Sequence, residues 1–338
     1  MTAGVIRAVY QLEPHGSAEA LAVEASLGMA DGPGFVRGEV VAEEGGRAVI
    51  DFPADNWGPN LPMLLSALVA GEGSETRAFS RCRLVGLDLP SGWFPGPAFP
   101  APARVGVGAI VKPSLGLAPG EVADVVAALV AGGVDLVKDD ELLGDPPWCP
   151  LADRVRAVAK VCDPSVTYCA NVTGPSAMLL DRARRAVDLG ATGVMVNAFA
   201  QGLDAVLALR QAALGVPVFA HRVGSGPWAR NDRFGASGMV LARLTRLAGA
   251  DYVQVGAFGG KLFDSDEAVR AQLDAVRGPL DGVAPPVAVL GGGIGPDNAR
   301  AQADAAGGTG VLLLLGSRAY AHPGGVEAGV RATTAALR

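Results

Sequence analysis

The stretch VGAIVKPSLGLAPGEVADVVAALVAGGVDLVKDD (107–140) sets the reading of the chain. It opens with a short, near-continuous apolar run, VGAIVK (107–112), that ends on a lysine. An amphipathic helical stretch follows. A second apolar run, VDLVK (134–138), again ends on a lysine. Apolar runs without alternation mark strands covered on both faces, the condition of a parallel sheet flanked by helices. Six more such runs follow: VTYCAN (166–171), GVMVNA (193–198), VPVFAH (216–221), DYVQVG (251–256), PVAVLGG (286–292) and GVLLLLG (310–316). Eight strand–helix units predict a (β/α)8 barrel; a doubly wound open sheet is the structural alternative.

Residues 1–103 read differently. They hold the alternating runs VIRAVYQL and FVRGEVVAEEGGRAVIDF and the helix-like stretches SAEALAVEAS and LPMLLSALVAG. This mixture predicts a small α+β domain of ferredoxin-like type over 1–103. The barrel, with the catalytic site, is placed at 104–338. The Pro-rich segment SGWFPGPAFPAPA (91–103) reads as the linker.

Half of the 338 residues are apolar, enough for a large core. The net charge of −6 and the absence of a basic stripe argue against nucleic-acid binding. No uncharged apolar run approaches the ~18 residues of a membrane span, and the N-terminus lacks the pattern of a signal peptide. Cys82, Cys149, Cys162 and Cys169 form no CxxC pair, so reduced thiols and a cytoplasmic location are the expectation.

Of 28 basic residues only four are lysines: Lys112, Lys138, Lys160 and Lys261. An amine kept in an arginine-rich background draws interest, because guanidinium can be neither deprotonated nor carbamylated. In a barrel, function collects at the C-terminal strand ends. The strongest signal there is VDLVKDDELLGD (134–145). A carbamate on Lys138, with Asp140 and Glu141, would give three hard oxygen donors for Mg²⁺. The competing reading is a solvated charged turn. Lys112 would point into the barrel mouth, to stabilise an enolate oxygen or move a proton; its alternative is a salt bridge to the acidic residues of the second strand.

His221 and Arg222 end the fifth strand, and arginine suits bidentate phosphate binding. Glycines after the seventh and eighth strands, LGGGIG (290–295) and LLLLGSR (312–318), would expose N–H groups to a phosphate. AFGGKLF (257–263) would carry Lys261 over a bound anion. Lys160 reads as solvent-facing, and His15 and His322 as structural or surface residues.

GAIVKPSLGLAPGEVADVVAALVAGGVDLVKDDELL resembles the strand-one to strand-two region of the RuBisCO large subunit, with its KPxLG and the KDDE of its metal site. AHRVGSG, LARLTRLAGADYVQVGAFGGKLF, VAVLGGGI and the region to AHPGG resemble its later strands in order. The resemblance implies a carbamylated Lys138 with Asp140 and Glu141 as the other Mg²⁺ ligands. It implies Lys112 near the enediolate, His221 and Arg222 on substrate and phosphate, Lys261 as the loop lysine, and Gly292, Gly293 and Gly316 as the phosphate cradle. Glu24 in VEAS and Asn60 in GPNLP resemble residues that reach a partner subunit's site, so a homodimer or dimer-based oligomer is implied.

The departures set the subclass. Ser114 stands where a second lysine is expected, Ser225 and Gln254 where histidines are, Gly291 where a serine is, and Met29-Ala30 where a Thr-Trp pair is. Losing these acid–base and phosphate groups argues against carboxylation, so the closest resemblance is to RuBisCO-like, form IV proteins. The implied activity is Mg²⁺-dependent enolisation of a phosphorylated ketose or keto-acid, of isomerase or tautomerase type. The absence of any lysine before Lys112 argues against the enolase subtype that takes its base from the small domain. The alternatives are a decarboxylase or transcarboxylase on an oxo-sugar-acid phosphate, and a non-catalytic binding or regulatory relative. Lys112, the Lys138 carbamate and His221 each remain open as the proton acceptor.

Overall fold

The structure is a computed structural model that describes residues 4–69 and 71–337. The first part of the chain forms strands β1 (Val5–Glu13), β2 (Glu39–Glu44), β3 (Arg47–Pro53) and β4 (Arg81–Asp88), with helices α1 (Ala18–Glu24) and α2 (Leu61–Leu68). The alternation in β1 puts Ile6, Ala8, Tyr10 and Leu12 on the buried face, where they join Leu21 of α1 and Leu61 and Leu64 of α2 in the core. Strand β4, RCRLVGLD, is an element the sequence reading did not single out. It pairs antiparallel with β1, with a register shift at Val9/Tyr10.

The eight predicted barrel strands are all present: β5 (Val105–Ile110), β6 (Leu136–Lys138), β7 (Thr167–Asn171), β8 (Gly193–Asn197), β9 (Val218–His221), then, after the short β10 (Phe234–Ala236), β11 (Tyr252–Val255), β12 (Val287–Gly291) and β13 (Val311–Leu315). They pair in parallel and close into a barrel in the order β11-β12-β13-β5-β6-β7-β8-β9. Closure rules out the open-sheet alternative. It runs through β13 and β5, from Val311 opposite Val105 to Leu315 opposite Ala109. Each barrel strand is followed by a helix, from Pro119–Gly132 after β5 to Gly325–Leu337 after β13.

The interior is filled by Leu136, Cys169, Met195, Phe219, Val287, Val289, Leu312 and Leu314. The glycines of β5 make room for this layer. A Cβ on Gly106 or Gly108 would stand 2.9 or 2.7 Å from a methyl carbon of Leu312. That explains why the first barrel strand reads V-G-V-G rather than as a solid apolar run.

Strand β10 follows β9 in the chain yet leaves the barrel. It pairs in parallel with β4, Phe234–Ala236 against Cys82–Leu84, and becomes the edge of the N-terminal sheet, ordered β10-β4-β1-β3-β2. Arg83 secures it by donating to the carbonyls of Ala229 (2.8 Å), Phe234 (3.2 Å), Trp228 (3.3 Å) and Asn231. The Pro-rich segment 91–103 contains neither helix nor strand. The buried carboxylate of Asp251 accepts from Ala98 N (2.6 Å) and Phe99 N (2.9 Å), holding that segment against the start of β11. Among the described residues no helix is long and apolar enough to cross a membrane.

Candidate functional site

The four positions after the β6 apolar run divide by side-chain direction. Lys138 and Asp140 are fully buried beneath the barrel mouth, with Glu141 next to them. Asp139 turns the other way. It accepts from the fully buried Arg154 (3.1 Å), from Tyr168 OH (2.8 Å) and from Asn171 N (2.9 Å). Asp139 therefore holds the second strand to the third strand and to the helix Leu151–Ala159. A charge buried in this way persists only because its acceptor capacity is filled.

Lys138 Nζ donates to Asp139 O (2.9 Å) and to Glu141 Oε2 (3.1 Å). Burial pulls this amine below the usual lysine value, with Glu141, Asp140 and Asp139 opposing. Burial tends to raise Glu141, but the Lys138 and Lys112 charges and its hydrogen bonds bring it below the usual carboxylate value. Among the described residues no three His, Cys, Asp or Glu side chains gather as a ready-made cation site. What gathers is two carboxylates and one buried amine.

Lys112 Nζ donates to Asp140 Oδ2 (2.5 Å) and to Ser114 Oγ (2.9 Å). The salt bridge weighed for it in the sequence is thus present, and Lys112 lines the cavity as well. Its backbone is fixed by Tyr320, whose hydroxyl donates to Ile110 O (2.8 Å) and accepts from Lys112 N (3.1 Å). Two asparagines at the ends of β7 and β8 hold the acidic turn: Asn171 Nδ2 donates to Asp140 O and Asn197 Nδ2 to Glu141 O (2.9 Å). Their strand-end positions were visible in the sequence; their service to a neighbouring strand was not.

His221 lies beside this cluster. Burial, with Lys138 next, takes its pKa well below the usual histidine value, so the ring is neutral near pH 7. Its Nδ1 accepts from Val223 N (3.1 Å), which places the hydrogen on Nε2, 3.4 Å from Glu141 Oε2.

A cavity of about 430 Å³ opens over this floor. Of the residues singled out in the sequence, it brings together Lys112, Glu141, His221, Arg222, Lys261, Gly292, Gly293 and Gly316. Gly292 (φ 114°) and Gly293 (φ 96°) occupy backbone conformations that other residues rarely adopt. Lys261 N donates to Gly292 O (3.0 Å), so the loop after β11 is seated on that turn. Arg318, not singled out in the sequence, also lines the cavity. It donates to Gly293 O (2.8 Å) and pairs with Asp297 (2.9 Å). The signal was the arginine in LLLLGSR, at the end of the last strand.

Arg222 is paired with Asp264, Nη1 to Oδ2 at 2.8 Å, and lies under the ring of Phe263. Gln254 covers Gly291: a Cβ there would stand 2.9 Å from Gln254 Nε2. Two of the departures are therefore coupled, since the glutamine amide fills the space a serine would need. Glu24, the last residue of α1, and Asn60, which caps α2 by accepting from Met63 N (3.2 Å), do not line the cavity. Lys160 is exposed, as read from its helix.

The catalytic-domain profile of the ribulose bisphosphate carboxylase large chain matches residues 101–338. A ribulose bisphosphate carboxylase-like protein of Allochromatium vinosum is 34% identical over 84% of this chain, a match spanning 66% of that protein's length. A 3-oxo-isoapionate-4-phosphate transcarboxylase/hydrolase of Xanthobacter autotrophicus is 35% identical, over 83% of this chain and 73% of its own. The crystal structure of an octameric ribulose-1,5-bisphosphate carboxylase/oxygenase from Pyrococcus horikoshii superposes with a TM-score of 0.90. That alignment is 26% identical and covers 98% of this chain and 87% of the other.

Proposed function

This chain belongs to the family of RuBisCO large chains, among the RuBisCO-like proteins, and on that premise we propose that it is a Mg²⁺-dependent enzyme that enolises a phosphorylated ketose or keto-acid and does not carboxylate ribulose bisphosphate. The observation that carries this reading is the buried amine–dicarboxylate cluster of Lys138, Asp140 and Glu141 beneath a cavity flanked by cations and glycine turns.

The residues fit the ion. Burial favours the neutral form of Lys138, the form that takes up CO2, and the resulting carbamate joins two carboxylates as the all-oxygen set a hard cation requires. The ion, when bound, supplies Lewis-acid polarisation of the substrate carbonyl. Lys138, Asp140 and Glu141 would hold it.

The other steps belong to side chains. Lys261 and Arg318, with the N–H groups around Gly292, Gly293 and Gly316, hold the phosphate. Lys112 Nζ, steadied by Asp140 and Ser114, neutralises the developing enolate oxygen or carries a proton at the neighbouring carbon. Neutral His221, with its hydrogen on Nε2, serves as a hydrogen-bond donor rather than as the proton acceptor. The departures at Ser114, Ser225, Gln254 and Gly291 support enolisation without carboxylation. Glu24 and Asn60 are assigned to the cavity of a partner copy in a homodimer.

A second reading, decarboxylation or carboxyl transfer on an oxo-sugar-acid phosphate, is favoured by the Xanthobacter relative. It shares the same enolate, and release of CO2 from such a substrate would distinguish it. The direct test of enolisation is deuterium uptake. With Mg²⁺ and bicarbonate in deuterated water, candidate phosphorylated ketoses should exchange the proton next to the carbonyl, and Lys138→Met should abolish exchange. Exchange at an undiminished rate in that variant would contradict the proposal.

A further inference from the structure

Strands β9 and β11 are neighbours in the barrel but pair only through Phe219–Tyr252 and Ala220–Val253. A hole of about 20 Å³ lies beside that pair, between the two strands and the helices Gly238–Leu247 and Asp266–Arg277. Its polar lining is Arg222, Ser225, Thr245, Gln254 and Gln272, of which Ser225, Thr245 and Gln272 are buried. Arg222 and Gln254 line the substrate cavity as well, so they stand between the two spaces. Thr245 Oγ1 donates to Leu241 O (2.8 Å) and can still accept. The amide of Gln272 is spent on Asp264 Oδ1 (2.7 Å) and Arg222 Nη1 (3.4 Å). Gln254 differs: its Oε1 is buried and accepts no hydrogen bond from any described residue, while its Nε2 lies over Gly291. A buried amide oxygen without a donor is costly, and in folded proteins such an oxygen nearly always has a partner.

We propose that the hole is a binding site for one ordered water, which donates to Gln254 Oε1 and is held by the Ser225 hydroxyl. Size and lining both argue for it. A single water needs roughly 10–15 Å³ of free space and two to four polar partners. The hole meets the first condition once and not twice over. Gln254 Oε1 and Thr245 Oγ1 can accept the two hydrogens of the water, and the Ser225 hydroxyl can donate to its oxygen. The water makes Ser225 and Gln254 one unit. Both stand where the resemblance to RuBisCO leads to a histidine, and Gln254 is in turn matched to Gly291. Three departures separated in the chain thus describe one local arrangement. The consequence reaches the substrate cavity. With Oε1 held by the water, the Gln254 NH2 is presented over Gly291 as a fixed, neutral donor suited to a substrate oxygen. The water site rests on neither the ion nor the phosphate reading.

A high-resolution crystal structure of the full wild-type chain tests the proposal and needs no variant to fold. One ordered water should occupy the hole within hydrogen-bond distance, about 2.7–3.2 Å, of both Gln254 Oε1 and Ser225 Oγ. A hole without a water, or a water out of reach of Gln254, overturns the proposal. Urea unfolding of Ser225→Ala, Gln254→Leu and the double variant then tests the coupling. The change in the unfolding equilibrium constant of the double variant should fall short of the product of the single changes by about threefold or more, because either substitution alone already breaks the bridge. Single changes that simply multiply would show that Ser225 and Gln254 act independently, and would overturn the unit built on the water.

Discussion

At the scale of single residues, the site depends on how neighbouring side chains share it. Lys138, Asp140 and Glu141 face the mouth while Asp139 is spent on Arg154, Tyr168 and Asn171. The four-letter run KDDE was read with Asp140 and Glu141 beside Lys138 and left Asp139 without a task, because the partners of Asp139 lie on other elements. Asp264 was hidden for a related reason, since it acquires meaning only beside Arg222, far away in the chain; Arg318 stood in plain view in LLLLGSR, but its contact with Gly293 did not. Lys261 was legible from its glycine-flanked loop. Lys261→Ala is predicted to raise KM for the phosphorylated substrate by about ten- to a hundredfold, the loss of one charge-assisted hydrogen bond of ~1.5–3 kcal/mol. Its kcat should change by less than about threefold, since phosphate is held equally in ground and transition states. Steady-state kinetics would show this; an unchanged KM would remove Lys261 from the phosphate site.

At the scale of elements, the barrel strands were legible because burial on both faces leaves uninterrupted apolar runs, and each of the eight was found within a few residues of its expected bounds. β10 was not legible. Three residues, Phe-Gly-Ala, show no periodicity, and their partner β4 lies about 150 positions earlier, at Cys82–Leu84. The glycines of β5 are explained by packing rather than by turns, since Leu312 occupies the volume their side chains would take. Gly108→Val is accordingly predicted to destabilise the fold by about 1–3 kcal/mol, measured by urea denaturation. Leu312→Ala should offset part of that cost in the double variant, because the two sites share one volume. Strictly additive losses would mean that Gly108 is conserving something other than space for Leu312.

At the scale of the molecule, the fold and the family were readable from the order of the motifs, whereas Glu24 and Asn60 lie outside the cavity of their own chain. The proposed dimer gives them a task that can be tested by mixing. An inactive Lys138→Met variant and a variant inactivated by Glu24→Gln with Asn60→Ala should together recover about a quarter of wild-type activity after dissociation and reassociation. Half of the dimers would then be mixed, with one intact site in two. No recovery from freely exchanging dimers would place the two residues outside the active site. The claim on which all of this rests is chemical, that the Lys138 amine takes up CO2 beside two carboxylates. Carbon-13 NMR of the full chain with labelled bicarbonate and Mg²⁺ measures it without reference to turnover. A protein-bound carbamate resonance that disappears in Lys138→Met is the result predicted; no carbamate signal in the wild type, or one that survives the substitution, would contradict the account.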